Sequence, residues 1–169
     1  MTIEEAIKTA IVYETKIRDI YRDAADKVTD PAGKKFFKMM GDDEHYHVEY
    51  LIEQLKLWEK TGTLYTESLK TTIPSIEIVR EETAKVKAHI SKEDLSNEKA
   101  ILSRALKAEV ETSNFYKKMV NELPVHGQKM FARFLEIEDN HIAAVQAELD
   151  YITHTGYWFD FKEFDMEEL

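Results

Sequence analysis

The sequence contains no cysteine and has only five glycines and three prolines in 169 residues. The absence of cysteine excludes disulfides, iron–sulfur clusters, zinc–thiolate sites and thiol nucleophiles. So few glycines and prolines leave little material for the many turns of an all-β fold and therefore favour long helices. No run approaches the ~20 apolar residues of a membrane-spanning helix. The acidic start MTIEEAIKTA does not have the pattern of a signal peptide, so the default expectation is a cytoplasmic location.

Basic side chains are the minority among the charged residues. The chain has 23 lysines and arginines against 33 aspartates and glutamates, which gives a formal net charge of -10 at pH 7. Nucleic acids and anionic membranes bind basic patches, so the composition argues against both as general partners. Hydrophobic residues make up 43 % of the sequence, and 169 residues are enough for one soluble domain with a buried core.

Apolar residues recur at helical spacing in long segments of the chain. Thr2 with Glu5 has the spacing of a capping box, and Asp30 before Pro31 is typical of a helix N-terminus. The predicted helices cover residues 2–29, 31–60, 96–123 and 127–153.

A long connection, residues 63–95, separates the second predicted helix from the third, and within it residues 76–90 could form a further helix. Two helical hairpins joined by one long crossover predict an all-α four-helix bundle over residues 1–155. Residues 156–169, GYWFDFKEFDMEEL, form an aromatic and acidic tail that is expected to pack on the bundle or on a second subunit.

The two halves of the chain repeat each other. The first two matched pairs have an offset of 95 positions (from 14 to 109) and the other four an offset of 94 (from 44 to 138), a one-residue difference that a loop can absorb. The pattern indicates an internal duplication with pseudo-two-fold symmetry. The matched pairs are Glu14 with Glu109, Tyr21 with Tyr116, Gly33 with Gly127, Phe37 with Phe131, Glu44 with Glu138, and His47 with His141.

Four glutamates, Glu14, Glu44, Glu109 and Glu138, occupy positions where the helical pattern requires core residues. Burying an ionised carboxylate without a partner costs on the order of several kcal/mol. No lysine or arginine occupies the inner positions at these levels. The carboxyl groups must therefore be protonated or be balanced by bound cations, and two divalent ions would match the charge of four carboxylates.

The Glu-x-x-His spacing appears twice, in Glu44 with His47 and in Glu138 with His141. Residues three apart on a helix project from the same face, so both side chains can reach one ion. Adding one glutamate from each of the other two helices predicts a cage of four glutamates and two histidines around two metal ions. Such mixed ligation suits iron or manganese, and zinc can also occupy it. The predicted ligands are Glu14, Glu44, His47, Glu109, Glu138 and His141.

Three further side chains are candidates for supporting roles. Tyr21 and Tyr116 could hydrogen-bond to ligand carboxylates of another helix, or they could be core aromatics only. Asp43 could orient His141 across the bundle, or it could be an exposed helix residue. Glu111 lies about 200° from Glu109 around the helix and is therefore expected to face solvent.

The motifs resemble those of rubrerythrins, within the ferritin-like superfamily, over about residues 5–155. The segments that carry the resemblance are ETKIRDIY from Glu14, EHYH from Glu44, EVETSNFY from Glu109 and EDNH from Glu138. The resemblance implies that the six residues ligate two iron ions and that the diferrous centre reduces hydrogen peroxide or reacts with oxygen. It also implies a homodimer.

Two departures from the rubrerythrin pattern qualify this expectation. Many rubrerythrins have an extra ligand glutamate where this sequence has Thr112, and the pseudo-symmetric position is Ile17. A rubredoxin domain requires four cysteines, so electrons are expected from a separate donor, such as a rubredoxin-like protein, or from a small reductant. The leading hypothesis is a non-haem di-iron oxidoreductase active in peroxide detoxification. The alternatives are a ferroxidase and a non-catalytic metal-binding bundle.

Overall fold

The structure, a computed structural model, describes residues 1–65, 67–84 and 95–160. These residues form five α-helices and no strand, which confirms the all-α prediction for the described part of the chain. The predicted helix at 76–90 is present from residue 76 to residue 84, and its remainder lies outside the described residues. The helices are α1 (Ile3–Lys27), α2 (Pro31–Thr61), α3 (Ile76–Ala84), α4 (Ser96–Glu122) and α5 (Val125–Thr155).

The helix starts follow local capping chemistry. Thr2 and Glu5 form the expected capping box at α1, and the Asp30 side chain accepts hydrogen bonds from two backbone N–H groups of the first turn of α2. Helix α5 begins at Val125, two residues before the predicted start at Gly127. The first helical hydrogen bond runs from the Gln128 N–H to the Pro124 carbonyl at 3.0 Å, and no side chain of the described residues caps this end.

The repeat continues into the ends of α2 and α5. Gly62 and Gly156, which are 94 residues apart, follow these two helices with positive φ angles of 66° and 73°. A glycine adopts this left-handed conformation without the steric cost of a Cβ atom, so it ends a helix readily. The two halves therefore share their helix terminations as well as their inner side chains.

The long helices pack as two pairs, α1 with α2 and α4 with α5, and the pairs meet through α1 and α4. Helix α3 lies against α5. The core consists of two buried apolar clusters, one containing Ile17 and Tyr21 and the other containing Ala10 and Tyr116. Glu14 lies on α1 between Ala10 and Ile17, so acidic side chains enter the interior where the two clusters adjoin. None of the described helices has the length and apolar character required to cross a membrane.

The described part of the tail, residues 156–160, packs against helices of its own chain. The Trp158 ring lies edge-on to Phe37, with ring centroids 5.3 Å apart, and Phe159 lies against Tyr151 at 5.5 Å. Trp158 and Phe159 are both buried. The rest of the tail, residues 161–169, lies outside the described residues.

Three core positions differ from the sequence prediction. The apolar pattern predicts that Leu55, Trp58 and Leu149 face inward, but all three are only half-buried, whereas Gln54 and Glu148, the neighbours of the two leucines, are fully buried. Each of these polar side chains accepts a hydrogen bond from the backbone beyond the end of its own helix. The spacing of apolar residues cannot predict the burial of a polar side chain of this kind. Its hydrogen bond depends on where the chain runs after the helix has ended.

Candidate metal centre

The six predicted ligand side chains come together in the interior, and all six are fully buried. They form two overlapping groups in which one potential ligand atom from each residue lies within 4.8 Å of the others. Glu44 and Glu138 belong to both groups, as expected of carboxylates that bridge two neighbouring ions. The first group is Glu14, Glu44, His47 and Glu138, and the second is Glu44, Glu109, Glu138 and His141.

The two imidazoles present the same edge to the carboxylates. Nδ1 of His47 lies 3.2 Å from a Glu14 oxygen and 3.1 Å from a Glu44 oxygen. Nδ1 of His141 lies 2.7 Å from the other Glu44 oxygen and 3.7 Å from Glu109 Oε1. The rings stack nearly parallel, at 7° and with centroids 5.4 Å apart. Both Nδ1 atoms are therefore available to cations at the centre.

The opposite edges of both imidazoles face Asp43, which is buried. Asp43 Oδ2 lies 2.9 Å from Nε2 of His141 and 3.4 Å from Nε2 of His47. The crossover holds this carboxylate, because the Thr71 hydroxyl donates to Oδ2 at 2.6 Å and the Thr72 N–H donates to Oδ1 at 3.0 Å. A carboxylate behind a ligand imidazole fixes its ring orientation and tautomer. The geometry therefore agrees with the interpretation in which Asp43 orients His141 across the bundle, and not with that of an exposed helix residue.

Thr71 and Thr72 were not predicted as part of the site. They lie in the long connection, and no local spacing relates them to Asp43, which is 28 and 29 residues earlier in the chain. Asp43, His47 and His141 also lie close enough to hold an ion among themselves. The threonine hydroxyl and amide donors already occupy both Asp43 oxygens, so Asp43 is better suited to positioning the imidazoles than to binding a metal.

The two tyrosines hydrogen-bond across the helix pairs. Tyr21 on α1 donates to Glu109 on α4, and Tyr116 on α4 donates to Glu14 on α1. Both hydroxyls are fully buried, and burial followed by the charge of the adjacent glutamate raises both tyrosine pKa values well above 10. The hydroxyls therefore keep their protons and act as donors to the two carboxylates.

Among the described residues, several atoms of the centre have no hydrogen-bond partner, and they all belong to predicted ligands. They include both oxygens of Glu138 and Oε2 of Glu109, as well as Oε1 of Glu44 and Nδ1 of His141, which lie 2.7 Å apart without the angles of a hydrogen bond. Leaving one buried polar atom unpaired costs about 1–3 kcal/mol. A set of converging unpaired atoms is what cations would satisfy, and the mixed oxygen and nitrogen donors match those of transition-metal sites. The residues present could therefore hold a metal ion.

The pKa values of the cluster also indicate that it needs positive charge. Burial and the charge of Glu14 raise the pKa of Glu44 to about 8, and burial with three neighbouring carboxylates raises that of Glu138 well above its ordinary value. Burial alone would lower the pKa values of His47 and His141, but the carboxylates around them outweigh it and raise both. Without a cation, the cluster must therefore hold protons in place of positive charge.

The two positions that depart from the rubrerythrin pattern contribute no ligand here. Thr112 is fully buried, and its hydroxyl donates to the Ala108 carbonyl of its own helix at 3.0 Å. Ile17, the pseudo-symmetric residue, is part of the apolar core. Glu111 pairs with Lys16 at 3.3 Å on the surface, away from Glu109, as its helical position predicted.

The sequence and the structure together describe buried glutamate and histidine clusters that could hold a metal ion. The identification of these clusters as a candidate metal site rests on their chemistry and geometry. No protein-family model matches the chain, and neither the curated proteins nor the solved structures contain a significant match to it.

Proposed function

We propose that the chain is a rubrerythrin-like, non-haem di-iron oxidoreductase that reduces hydrogen peroxide, and that its long helices form a ferritin-like four-helix bundle. The observation that carries this proposal is the pair of overlapping, fully buried ligand groups that share Glu44 and Glu138. Two internally repeated Glu-x-x-His helices with one glutamate from each partner helix are the arrangement of ferritin-like di-iron and di-manganese proteins.

One ion would be held by Glu14 and His47 and the other by Glu109 and His141, with Glu44 and Glu138 contributing to both. Iron is the preferred occupant because the proposed reaction needs a metal that changes oxidation state. Manganese is also compatible with these ligands, whereas zinc would fill the site without redox activity.

A bound pair of ferrous ions would supply the two electrons that, with two protons, convert hydrogen peroxide into two water molecules. The chain itself provides a buried cage, which limits access of bulk water to the reacting atoms. Tyr21 and Tyr116 keep Glu109 and Glu14 in place through hydroxyl donors that stay protonated. Asp43 fixes both imidazoles with Nδ1 toward the centre.

The return of electrons requires another molecule. The 169 residues contain no cysteine, so they contain no rubredoxin-type iron site of their own. We therefore place the electron donor outside these residues, as a separate rubredoxin-like protein or a small reductant. The rubrerythrin resemblance adds a homodimer to the proposal.

Iron loading and peroxide consumption test the proposal together. Protein loaded anaerobically with ferrous iron should consume about one peroxide for each pair of ions, because each ion supplies one electron. Glu138→Gln should lower iron affinity at least about tenfold, since it weakens a ligand shared by both ions. Glu136→Gln is the matched control, because Glu136 lies on the same helix with an exposed side chain paired to Arg133. It should behave like the wild type.

Three outcomes separate the proposal from its rivals. Diferrous protein that does not react with peroxide would contradict it. Sustained oxidation of added free ferrous iron, without another reductant, would identify a ferroxidase instead. Metal binding that raises stability without any redox reaction would identify a structural metal site.

A further inference from the structure

Outside the metal centre, the two halves of the chain repeat a second buried polar contact. Gln54 Oε1 accepts a hydrogen bond from the Tyr65 N–H at 2.9 Å, and Glu148 Oε2 accepts one from the Phe159 N–H at 3.0 Å. Both the acceptors and the donors are related by the offset of 94 (from 54 to 148 and from 65 to 159). An amide and a carboxyl group thus make the same contact, but only Glu148 can ionise.

The surroundings of Glu148 disfavour its charged form. It is fully buried, and its second oxygen, Oε1, has no hydrogen-bond partner in the part of the chain that the structure describes. Within the described ranges, the charged groups that face it are Asp160 from the tail and Asp30 from the start of α2, both acidic. The nearby cation Lys35 is paired with Asp160 at 2.9 Å. Among the described residues, no basic side chain forms an ion pair with Glu148.

The pKa of Glu148 reflects this environment. Burial is the largest contribution and raises the pKa well above its ordinary value of 4.5, and the two aspartates raise it further. The Phe159 N–H acts in the opposite direction, because it stabilises the carboxylate. Glu148 is seven residues beyond His141 and touches none of the six candidate ligands through a hydrogen bond, so its titration is separate from that of the metal centre.

Glu148 anchors a segment that covers one end of the molecule. Trp158, next to the bonded Phe159, lies against Phe36 and Phe37. The fit is close, because a Cβ atom added to Gly33 would lie 2.7 Å from the Trp158 ring. Phe37 in turn lies 6.2 Å from Tyr21, measured between ring centroids. Release of the segment would therefore expose the rings of Phe36 and Phe37, and Phe37 contacts Tyr21 beside the candidate metal centre.

We propose that Glu148 is a pH-sensitive latch, whose neutral carboxyl group holds residues 157–160 against the helices and whose ionisation releases them. This inference goes beyond the proposed function and does not depend on a bound metal. The Gln54 side chain, which makes the equivalent contact, is an amide and does not ionise. Its hydrogen bond to the Tyr65 N–H should therefore hold the start of the crossover whether the pH is low or high.

The direction of the effect follows from the raised pKa. Docking is strongest below the pKa of the undocked glutamate, near 4.5, and weakens as the pH rises toward the higher pKa of the docked one. Between these two values, the open fraction should increase up to about tenfold for each pH unit, because opening releases one proton.

Amide hydrogen exchange on the full-length chain tests the latch without any substitution. The protection factor of the Phe159 amide, divided by that of the Tyr65 amide, should fall as the pH rises from 5 toward the pKa of the docked glutamate, by at least about tenfold in total by pH 9. The Tyr65 amide serves as an internal control, because its acceptor cannot titrate. A constant ratio over this range would overturn the proposal, and this result needs no variant to fold.

Two reciprocal variants test the role of the carboxyl group. In Glu148→Gln the pH dependence of Phe159 protection should disappear, and in Gln54→Glu the Tyr65 amide should acquire it. Trp158 fluorescence in a Trp58→Phe background gives a second measurement, since Trp58 and Trp158 are the two tryptophans in the chain. Its emission should shift to the red at high pH only when Glu148 is present. An equal shift in Glu148→Gln would overturn the proposal.

Discussion

At the residue scale, Asp43 shows how one side chain can serve two symmetric ligands. The second half of the chain has Ile137 at the corresponding position, and Ile137 is fully buried in the apolar core. A single carboxylate therefore faces Nε2 of both imidazoles, and the crossover threonines hold it there. Loss of Asp43 would leave Nε2 of His141 and two threonine donors without their acceptor, and it would remove the carboxylate that lies 3.4 Å from Nε2 of His47.

Asp43→Asn should lower metal affinity by about 10–100-fold, the usual effect of removing a carboxylate behind a ligand histidine. Titration with ferrous or manganous ions against a competing chelator measures this. Asp42→Asn is the matched control, because Asp42 is the exposed neighbour paired with Lys38 on the same helix. Equal affinities for both variants and the wild type would show that Asp43 does not position the ligands.

At the element scale, α2 contains two glycines that face different neighbours. A Cβ atom at Gly33 would lie 2.7 Å from Trp158 and 2.8 Å from Val28, whereas one at Gly41 would meet nothing closer than 3.4 Å. Glycine inside a helix costs about 0.5–1 kcal/mol relative to alanine. Gly33 is thus explained by the close approach of the tail, but no neighbour of Gly41 within the described ranges requires a glycine there.

Gly33→Ala should destabilise the protein by about 1–3 kcal/mol, because overpacking outweighs the gain in helix propensity. Its Trp158 emission should also shift to the red, since the ring is displaced from α2. Gly41→Ala, the control on the same helix, should be neutral or stabilise the protein by up to about 1 kcal/mol. Chemical denaturation gives both free energies of unfolding. A Gly33→Ala variant as stable as the wild type, with Trp158 still buried, would contradict this account of the packing.

At the scale of the whole molecule, the proposed metal centre links stability to pH. The raised pKa of Glu44, about 8, means that its stabilising contribution to the metal-free fold is complete below pH 4.5 and is lost as the pH rises to about 8. The raised pKa values of the two histidines act in the same direction above pH 6.5. The lowered pKa of Asp43 gives a contribution that is already complete above its ordinary value of 3.8, so it does not vary near neutral pH.

The metal-free protein should therefore lose stability between pH 6 and pH 8, whereas the metal-loaded protein should lose much less. Metal ions at a hundred times their dissociation constant add about 2.7 kcal/mol, and this gain should grow with pH because binding displaces protons. Urea denaturation with a chelator or with anaerobic ferrous iron, at pH 6, 7 and 8, measures the difference. Parallel pH profiles for the two forms would contradict the prediction.

The sequence by itself determined the helices and the six inward-facing acidic and imidazole side chains. Helical spacing fixes which residues share a face, and the internal repeat distinguishes Glu109 from Glu111 because only Glu109 has its tyrosine seven residues later. These are local relations, and they hold wherever the helices later pack. The sequence left two alternatives open for Tyr21 and Tyr116, and the packing of the helices selected the cross-helix hydrogen bonds.

Only the tertiary structure decided what covers the ends of the helices. The hydrogen bonds of Thr71 and Thr72 to Asp43, and the burial of Glu148 beneath residues 157–160, join segments whose separation no periodicity encodes. Their positions depend on how the crossover and the tail lie on the assembled helices. Burial of a polar residue such as Glu148 depends on a backbone donor arriving from elsewhere in the chain, so local spacing predicted Leu149 in its place.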